Sequence, residues 1–342
     1  MNQKLKLIQA GIGGHGGGVA RHFVRHSEDF ELVGLLDLNR DALRAAGTEF
    51  GIPEERLYTD YRAAIAESGA DAMLLVVISP AHYEIAKCAL EHGLHVLIEK
   101  PFTLTLSDAE ELVTLAEKQG CNIMINQNYR YNTAVLTLKG ALADAALGKP
   151  LFVQSRFFCD HDGKPYQRAM DNYTLLEMSV HHVDMIRFLL DTDIVAVNGR
   201  TWNDPASGYQ GDPHVQATYD TEAGVPVFYL GSLLAKGVAD PWDGVWRFQF
   251  ERGAVHLDDL GEGYGVYAAD AGQQVRKLTN AVNEKDSIHG VLAEFAASIR
   301  EGRAPAISGA DNLRTLAALF ATAASSREGR TVRISELLTP SN

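Results

Sequence analysis

A chain of 342 residues with 46% hydrophobic side chains can bury a sizeable core and, at ordinary domain sizes, divides into about two domains. Its 44 acidic against 31 basic residues leave a formal charge of -13, which repels a phosphate backbone and an anionic bilayer alike, so nucleic acid and membrane surfaces are excluded as partners. No stretch suits a spanning helix, the start MNQKLKLIQAGIGG is broken too soon by glycines for a signal peptide, and Cys88, Cys121 and Cys159 lack any paired spacing; a reducing, cytoplasmic compartment is expected.

From the N-terminus, short apolar runs alternate with amphipathic stretches: LKLIQAG, VARHFVRH, FELVGLLD, RDALRAAGTEF, AMLLVVIS, YEIAKCALEHG, HVLIE, DAEELVTLAEKQG and NIMINQN. Strand-length runs separated by helices of about ten residues predict βαβ units and a doubly wound parallel sheet, an α/β domain over residues 1–125. Beyond it the pattern changes. TAVLTLKGALADAAL predicts a helix, and then PLFVQSRFF, IVAVNGRTW, VQATYD, VPVFYLGSLL and VWRFQFERGAVHL alternate with period two, joined by turn-rich segments such as NDPASGYQGDP. Strands without helices between them predict a large, mostly antiparallel open sheet in an α+β domain over residues 126–342. Two helical segments close the chain, GVLAEFAASIREG and DNLRTLAALFATAASSREG, and can pack back on the first domain. The open sheet has a second face with no helical cover in sequence, so a homodimer or homotetramer is expected.

IQAGIGGHGGGVARHF places Gly11, Gly13 and Gly16 in a Gly-X-Gly-X-X-Gly arrangement after a strand and at the opening of a helix. The first glycine permits the tight turn, the second lets backbone approach a pyrophosphate, and the third lets the helix lie close on the strand. Asp37, at the end of the next strand and about 20 residues on, can accept hydrogen bonds from ribose hydroxyls and would repel a 2′-phosphate, favouring NAD over NADP. Arg40 works the other way, because a guanidinium can pair with that phosphate or lie over adenine. The bland alternative makes Asp37 a solvated strand end. Further on, Glu99, Lys100 and Pro101 follow directly on the apolar run HVLI, where open sheets bind ligands, as either a strand-end salt bridge or part of a site.

NYTLLEMSVHHVDMIRFLL reads as a buried helix with Glu177 and His181 four residues apart on one face and Asp184 three residues later. Histidine exchanges a proton near neutral pH, as alcohol oxidation requires. The rival readings are a helix-surface ion pair between His181 and Asp184, satisfied core histidines, and a metal, for which the spacing is not of zinc type. No metal is expected.

The glycine loop, ALEHGLHVLIEKP, NYRYN, LLEMSVHHVDMIRFLL and AEFAASIREGRAPAISGADNLRTLAAL, in that order along nearly the whole chain, resemble the Gfo/Idh/MocA oxidoreductases. The resemblance implies an N-terminal Rossmann domain, a C-terminal sheet that forms an oligomer interface, and an NAD-dependent enzyme moving a hydride to or from a secondary alcohol carbon of a sugar, sugar derivative or cyclitol. It also implies catalytic roles for Lys100, donating to the reacting oxygen, and for His181 as proton acceptor with Glu177 assisting. The implied cofactor contacts are Gly11, Ile12, Gly13, Gly14, Gly16, Asp37, Arg40, Ser79, Pro80, His82, Glu99, Lys100 and Asn126; Arg130, Tyr173 and His182 would meet the substrate. Glu177 stands where many relatives carry aspartate, and the usual Thr-Pro turn is Ser79-Pro80 here. Two rivals keep the fold: a glycosidase using NAD transiently, and a non-catalytic NAD or sugar sensor, against which the retention of Lys100 and His181 counts. Specificity is expected from the loops CDHDGKPYQRAMDNY and AKGVADPWDGVW, with Trp242, Trp246 and Tyr173 offering ring faces or core packing.

Overall fold

The computed structural model describes residues 3–204 and 206–338. They fall into two compact units: the chain up to Asn128 together with Lys285–Leu313, and Tyr129–Glu284 together with the residues from Arg314 onward.

The first unit holds strands β1 (Leu5–Ala10), β2 (Phe30–Leu36), β3 (Leu57–Tyr58), β4 (Ala72–Leu75), β5 (His95–Glu99) and β6 (Ile123–Asn126), with helices α1 (His15–His22), α2 (Arg40–Phe50), α3 (Tyr61–Glu67), α4 (His82–Glu91) and α5 (Leu106–Gln119) between them. All pairings are parallel, in the order β3-β2-β1-β4-β5-β6. The chain therefore reverses direction of growth between β1 and β4, the point where open α/β sheets take ligands. Leu7, Ile8 and Ala10 on β1 and Val96 and Ile98 on β5 are wholly buried, the two-sided burial that writes continuous apolar runs. Local chemistry sets the helix ends. The Asn39 side chain accepts from the amides of Asp41 and Ala42, Thr105 accepts from Asp108, and Gly51 and Gly120 end α2 and α5 in the left-handed conformation. Two short elements escaped the sequence pattern, β3 and α3, because neither is long enough to show a period.

The second unit runs through α6 (Thr133–Leu142), β7 (Pro150–Phe158), α7 (Pro165–Arg168), a π-helical turn at Leu175–Ser179, α8 (Val180–Leu190), β8 (Ile194–Trp202), β9 (His214–Thr221), β10 (Val227–Ser232), β11 (Val245–Phe250), β12 (Gly253–Asp258), β13 (Gly265–Asp270) and β14 (Val275–Lys277). After α9 (Ile288–Glu301), which packs Phe295 on Phe30 in the first unit, come α10 (Gly309–Glu328) and β15 (Val332–Arg333). The nine-stranded sheet has the order β14-β13-β12-β11-β7-β10-β9-β8-β15, and among the described residues only β10 with β7 pairs in parallel. VWRFQFERGAVHL, expected as one strand, folds into the hairpin β11–β12; β13 (GVYAAD) and the three-residue β14 (VRK), set among glycine-rich and polar segments, lie outside the expected strands. Alternation decides the faces. On β7, Val153, Ser155 and Phe157 point inward while Gln154 and Arg156 are exposed. Ser325 and Ser326 of α10 take the amides of Gly199 and Thr201, fastening that helix along β8. On the outer face Phe228 (46% exposed) and Leu230 (37%) stay in solvent, with Phe152 against Phe228.

Candidate active site

In the first unit the glycine motif sits at the C-terminal end of β1. Gly11 has φ +87°, and a Cβ there would lie 2.1 Å from the Val76 carbonyl oxygen; a Cβ on Gly16 would lie 2.3 Å from that of Gly11. The turn and the close start of α1 thus both require glycine, whereas nothing lies within 4 Å of the Cβ position of Gly13, whose side faces open space. Gly14 precedes α1 with φ 52°, and Ile12 packs with Leu35, Leu43 and Ala46.

Asp37 is not merely a solvated strand end. Its Oδ2 accepts from the amides of Ile12 at 2.8 Å and Gly13 at 3.3 Å, and its Oδ1 from Asn39 at 2.9 Å. A carboxylate has about four lone-pair directions, so it can hold the loop and still accept from hydroxyls. Arg40, exposed at the start of α2, lines a small cavity of about 120 Å³ with Arg44 and Glu54.

Beyond β4, Ser79 is buried and Pro80 exposed in a 3-10 turn. His82 differs from its expected part as a cofactor contact. Its ring is wholly buried, with Nδ1 2.9 Å from the Pro101 carbonyl oxygen and Nε2 3.2 Å from that of Val77, and burial lowers its pKa. The imidazole therefore ties the turn after β4 to the turn after β5 and has no surface to offer a ligand.

Glu99 ends β5 almost buried. Asn126 donates to its Oε1 at 2.6 Å, His15 stands 3.4 Å from the same oxygen, and the Lys100 amide donates to Oε2 at 3.2 Å. Burial pushes this carboxyl up, but the His15 hydrogen bond and the charges of His15 and Lys100 outweigh it and the net pKa is lowered. The strand-end carboxylate is thus an ionised anchor around which the half-buried Lys100 is set.

In the second unit the expected continuous helix is interrupted. Residues Leu175–Ser179, Glu177 among them, form a π-helical turn before α8, a form that recurs at functional sites. His181, 5% exposed, stacks its ring on Tyr129 with centroids 4.1 Å apart. Asp184 does not make the expected stripe with it. Arg130 binds both Asp184 oxygens at 2.6 Å and Thr315 donates to one at 3.2 Å, a buried pair rather than a helix-surface one. Arg130, expected at the substrate, spends its Nε and one terminal nitrogen on this pair. His182, also expected at the substrate, is a satisfied core histidine: Nδ1 meets the Tyr229 hydroxyl at 2.9 Å, Nε2 meets the Trp242 carbonyl at 3.1 Å, and burial pushes its pKa down to about 4.

Tyr173 is buried with its ring stacked on Tyr209 and its hydroxyl 2.8 Å from His161 Nδ1. His161 opens onto a cavity of about 440 Å³ lined also by Asp160, Asp162, Arg168, Asp204 and Lys236. Trp246 is core, whereas Trp242 is 51% exposed. Among the described residues no group of three or more His, Cys, Asp or Glu side chains is placed to hold a metal ion. Three polar residues escaped the sequence reading: Gln9, His15 and Asp204. The signal for the first two was present, a lone amide in the apolar run LKLIQAG and a histidine inside the glycine motif.

A family model described as "Oxidoreductase family, NAD-binding Rossmann fold" (GFO_IDH_MocA) matches residues 6–127, and one for the GFO/IDH/MocA C-terminal domain matches residues 135–261. A D-apiose dehydrogenase of Paraburkholderia graminis is 29% identical over 92% of this chain and 86% of its own. A myo-inositol 2-dehydrogenase of Thermotoga maritima is 26% identical over 94% and 98%. The fold is shared with an Agrobacterium radiobacter oxidoreductase solved with NAD+, L-tartaric acid and magnesium (TM-score 0.87, 24% identity, 98% of this chain and 100% of that one). It is shared likewise with an aldose-aldose oxidoreductase of Caulobacter crescentus complexed with glycerol (TM-score 0.86, 21% identity, 97% and 100%).

Proposed function

We propose that this chain, which belongs to the GFO/IDH/MocA oxidoreductases and carries their NAD-binding Rossmann fold, moves a hydride between NAD and a secondary alcohol or carbonyl carbon of a sugar or cyclitol. The observation that carries the reading is Lys100 placed directly after an ionised, three-way-bonded Glu99 at the C-terminal end of β5, in the sheet whose β1 ends in the glycine loop. D-apiose and myo-inositol dehydrogenases among the relatives support the substrate class.

The residues fit the cofactor. Asp37 would accept from the ribose hydroxyls, and the amides at the start of α1 would take the pyrophosphate on the open side of Gly13. Bound NAD supplies the hydride acceptor. Lys100 stabilises alkoxide character on the reacting oxygen, His181 takes the hydroxyl proton, and Glu177 assists His181.

The test is a panel of sugars, polyols and sugar phosphates with NAD, followed at the NADH absorbance. Turnover is expected on a neutral polyhydroxylated compound; a panel that yields NADH only from sugar phosphates overturns the substrate class. Asp37→Ser removes a negative acceptor and should shift the NAD-to-NADP preference by at least about tenfold toward NADP, as one or two charge-assisted hydrogen bonds are worth. Titration of both cofactors against wild type and variant checks this, and a wild-type preference for NADP would sink the assignment.

We also propose a cytoplasmic homo-oligomer assembled through the outer face of the large sheet, where Phe228 and Leu230 are exposed. Sedimentation velocity at micromolar concentration should show a dimer or tetramer that Phe228→Asp dissociates. A single 37.3 kDa species in the wild type counts against it.

A further inference from the structure

Gln9 is wholly buried in β1 between Ile8 and Ala10, which are buried too. Its amide nitrogen donates to the Gly11 carbonyl at 3.0 Å and to the Gly16 carbonyl at 2.8 Å. Both N–H bonds are thus committed to the two ends of the glycine loop. Two acceptors facing one end of the side chain require the nitrogen there, and Oε1 is left buried without a hydrogen-bond partner. An aliphatic residue would avoid that desolvation cost, so the amide is held at some expense in stability. The Gly11 carbonyl is also wedged against Gly16, where a Cβ would approach within 2.3 Å. Two carbonyl dipoles converging on one spot repel each other unless a donor stands between them, and Gln9 is that donor. Asp37 holds the same loop from β2 through the amides of Ile12 and Gly13.

We propose that Gln9 is a positioning residue for the pyrophosphate of NAD: by bridging the Gly11 and Gly16 carbonyls it fixes the loop in its anion-receiving shape, without touching the cofactor or the reacting atoms. The proposal rests on the NAD-dependent reading above. Gln9→Met keeps the length and apolar volume and loses both donors; NAD Kd should rise about tenfold or more, the worth of two neutral hydrogen bonds, while kcat at saturating NAD stays within about twofold. Gln9→Glu sets a carboxylate against two carbonyl oxygens. Burial raises such a carboxyl, and once protonated it donates one bond, so NAD affinity of this variant should recover as pH falls from 8 toward 5.5, unlike that of wild type or Gln9→Met. A merely structural role would lower melting temperature and kcat together and show no recovery in acid. Calorimetric titration with NAD and thermal melts on the full chain read all three proteins. Unchanged NAD affinity in a folded Gln9→Met, or a Gln9→Glu that acid does not restore, overturns the proposal alone. A wild-type protein that binds no NAD overturns the function reading with it.

Discussion

Lys100→Ala should lower the turnover of alcohol oxidation by roughly 10²-fold or more, equivalent to about 2.7 kcal/mol of lost transition-state stabilisation. As the hydroxyl proton leaves, negative charge develops on the oxygen, and in the proposed role a positioned ammonium would meet it at little reorganisation cost before the hydride departs. The fixing lies in the preceding residue: Glu99, itself held by Asn126 at 2.6 Å, accepts the Lys100 amide and sets the backbone from which the side chain projects. Lys100→Arg keeps the charge but replaces a compact ammonium with a planar fork, so it should recover only part of the rate. Single-turnover absorbance at saturating NAD measures the chemical step, with a thermal melt beside it. Folded Lys100→Ala with turnover within about threefold of wild type would show that the ammonium does not act on the reacting oxygen.

His181→Ala should cost a comparable factor, roughly 10²-fold or more, the usual yield of a general base. Alanine also removes the ring stacked 4.1 Å from that of Tyr129, so loss of activity could come from packing alone. His181→Phe separates the two effects, because it preserves a ring against Tyr129 and cannot accept a proton. It should remain folded and be as slow as His181→Ala. NAD affinity should change little in either variant, since His181 belongs to the second unit and the dinucleotide fold to the first. Near-normal turnover in His181→Phe removes His181 as acceptor and leaves Glu177, in the adjoining π-helical turn, as the next candidate.

The glycine loop shows how far sequence reaches toward a site. Gly11 and Gly16 are needed for contacts with Val76 and with Gly11 itself, within one βα turn and its neighbouring strand, and the spacing of the motif encodes that requirement. Gln9 sits two residues earlier and is as closely involved, yet one amide in an apolar strand carries no periodic signature. His181 and His182 show the limit more sharply. They are adjacent, both buried and identical in type, but one stacks on Tyr129 while the other is consumed by Tyr229 and Trp242.

By itself the sequence determined the parallel sheet of the first unit, the mostly antiparallel sheet of the second, and the location of the glycine loop, but not that residues 285–313 group with the first unit. Each follows from local regularity: burial on both faces of a strand writes an unbroken apolar run, burial on one face writes alternation, and a tight turn writes glycine at set intervals. Only the tertiary structure decided which polar residues face inward. Asp184 meets Arg130 from 54 positions away, His82 meets Pro101 from 19, and Gln9 reaches Gly16 across the turn it closes. A buried polar group is stable only when its hydrogen bonds are met, and its partners come from whichever strands and turns the fold brings alongside, a relation that no period along the chain records.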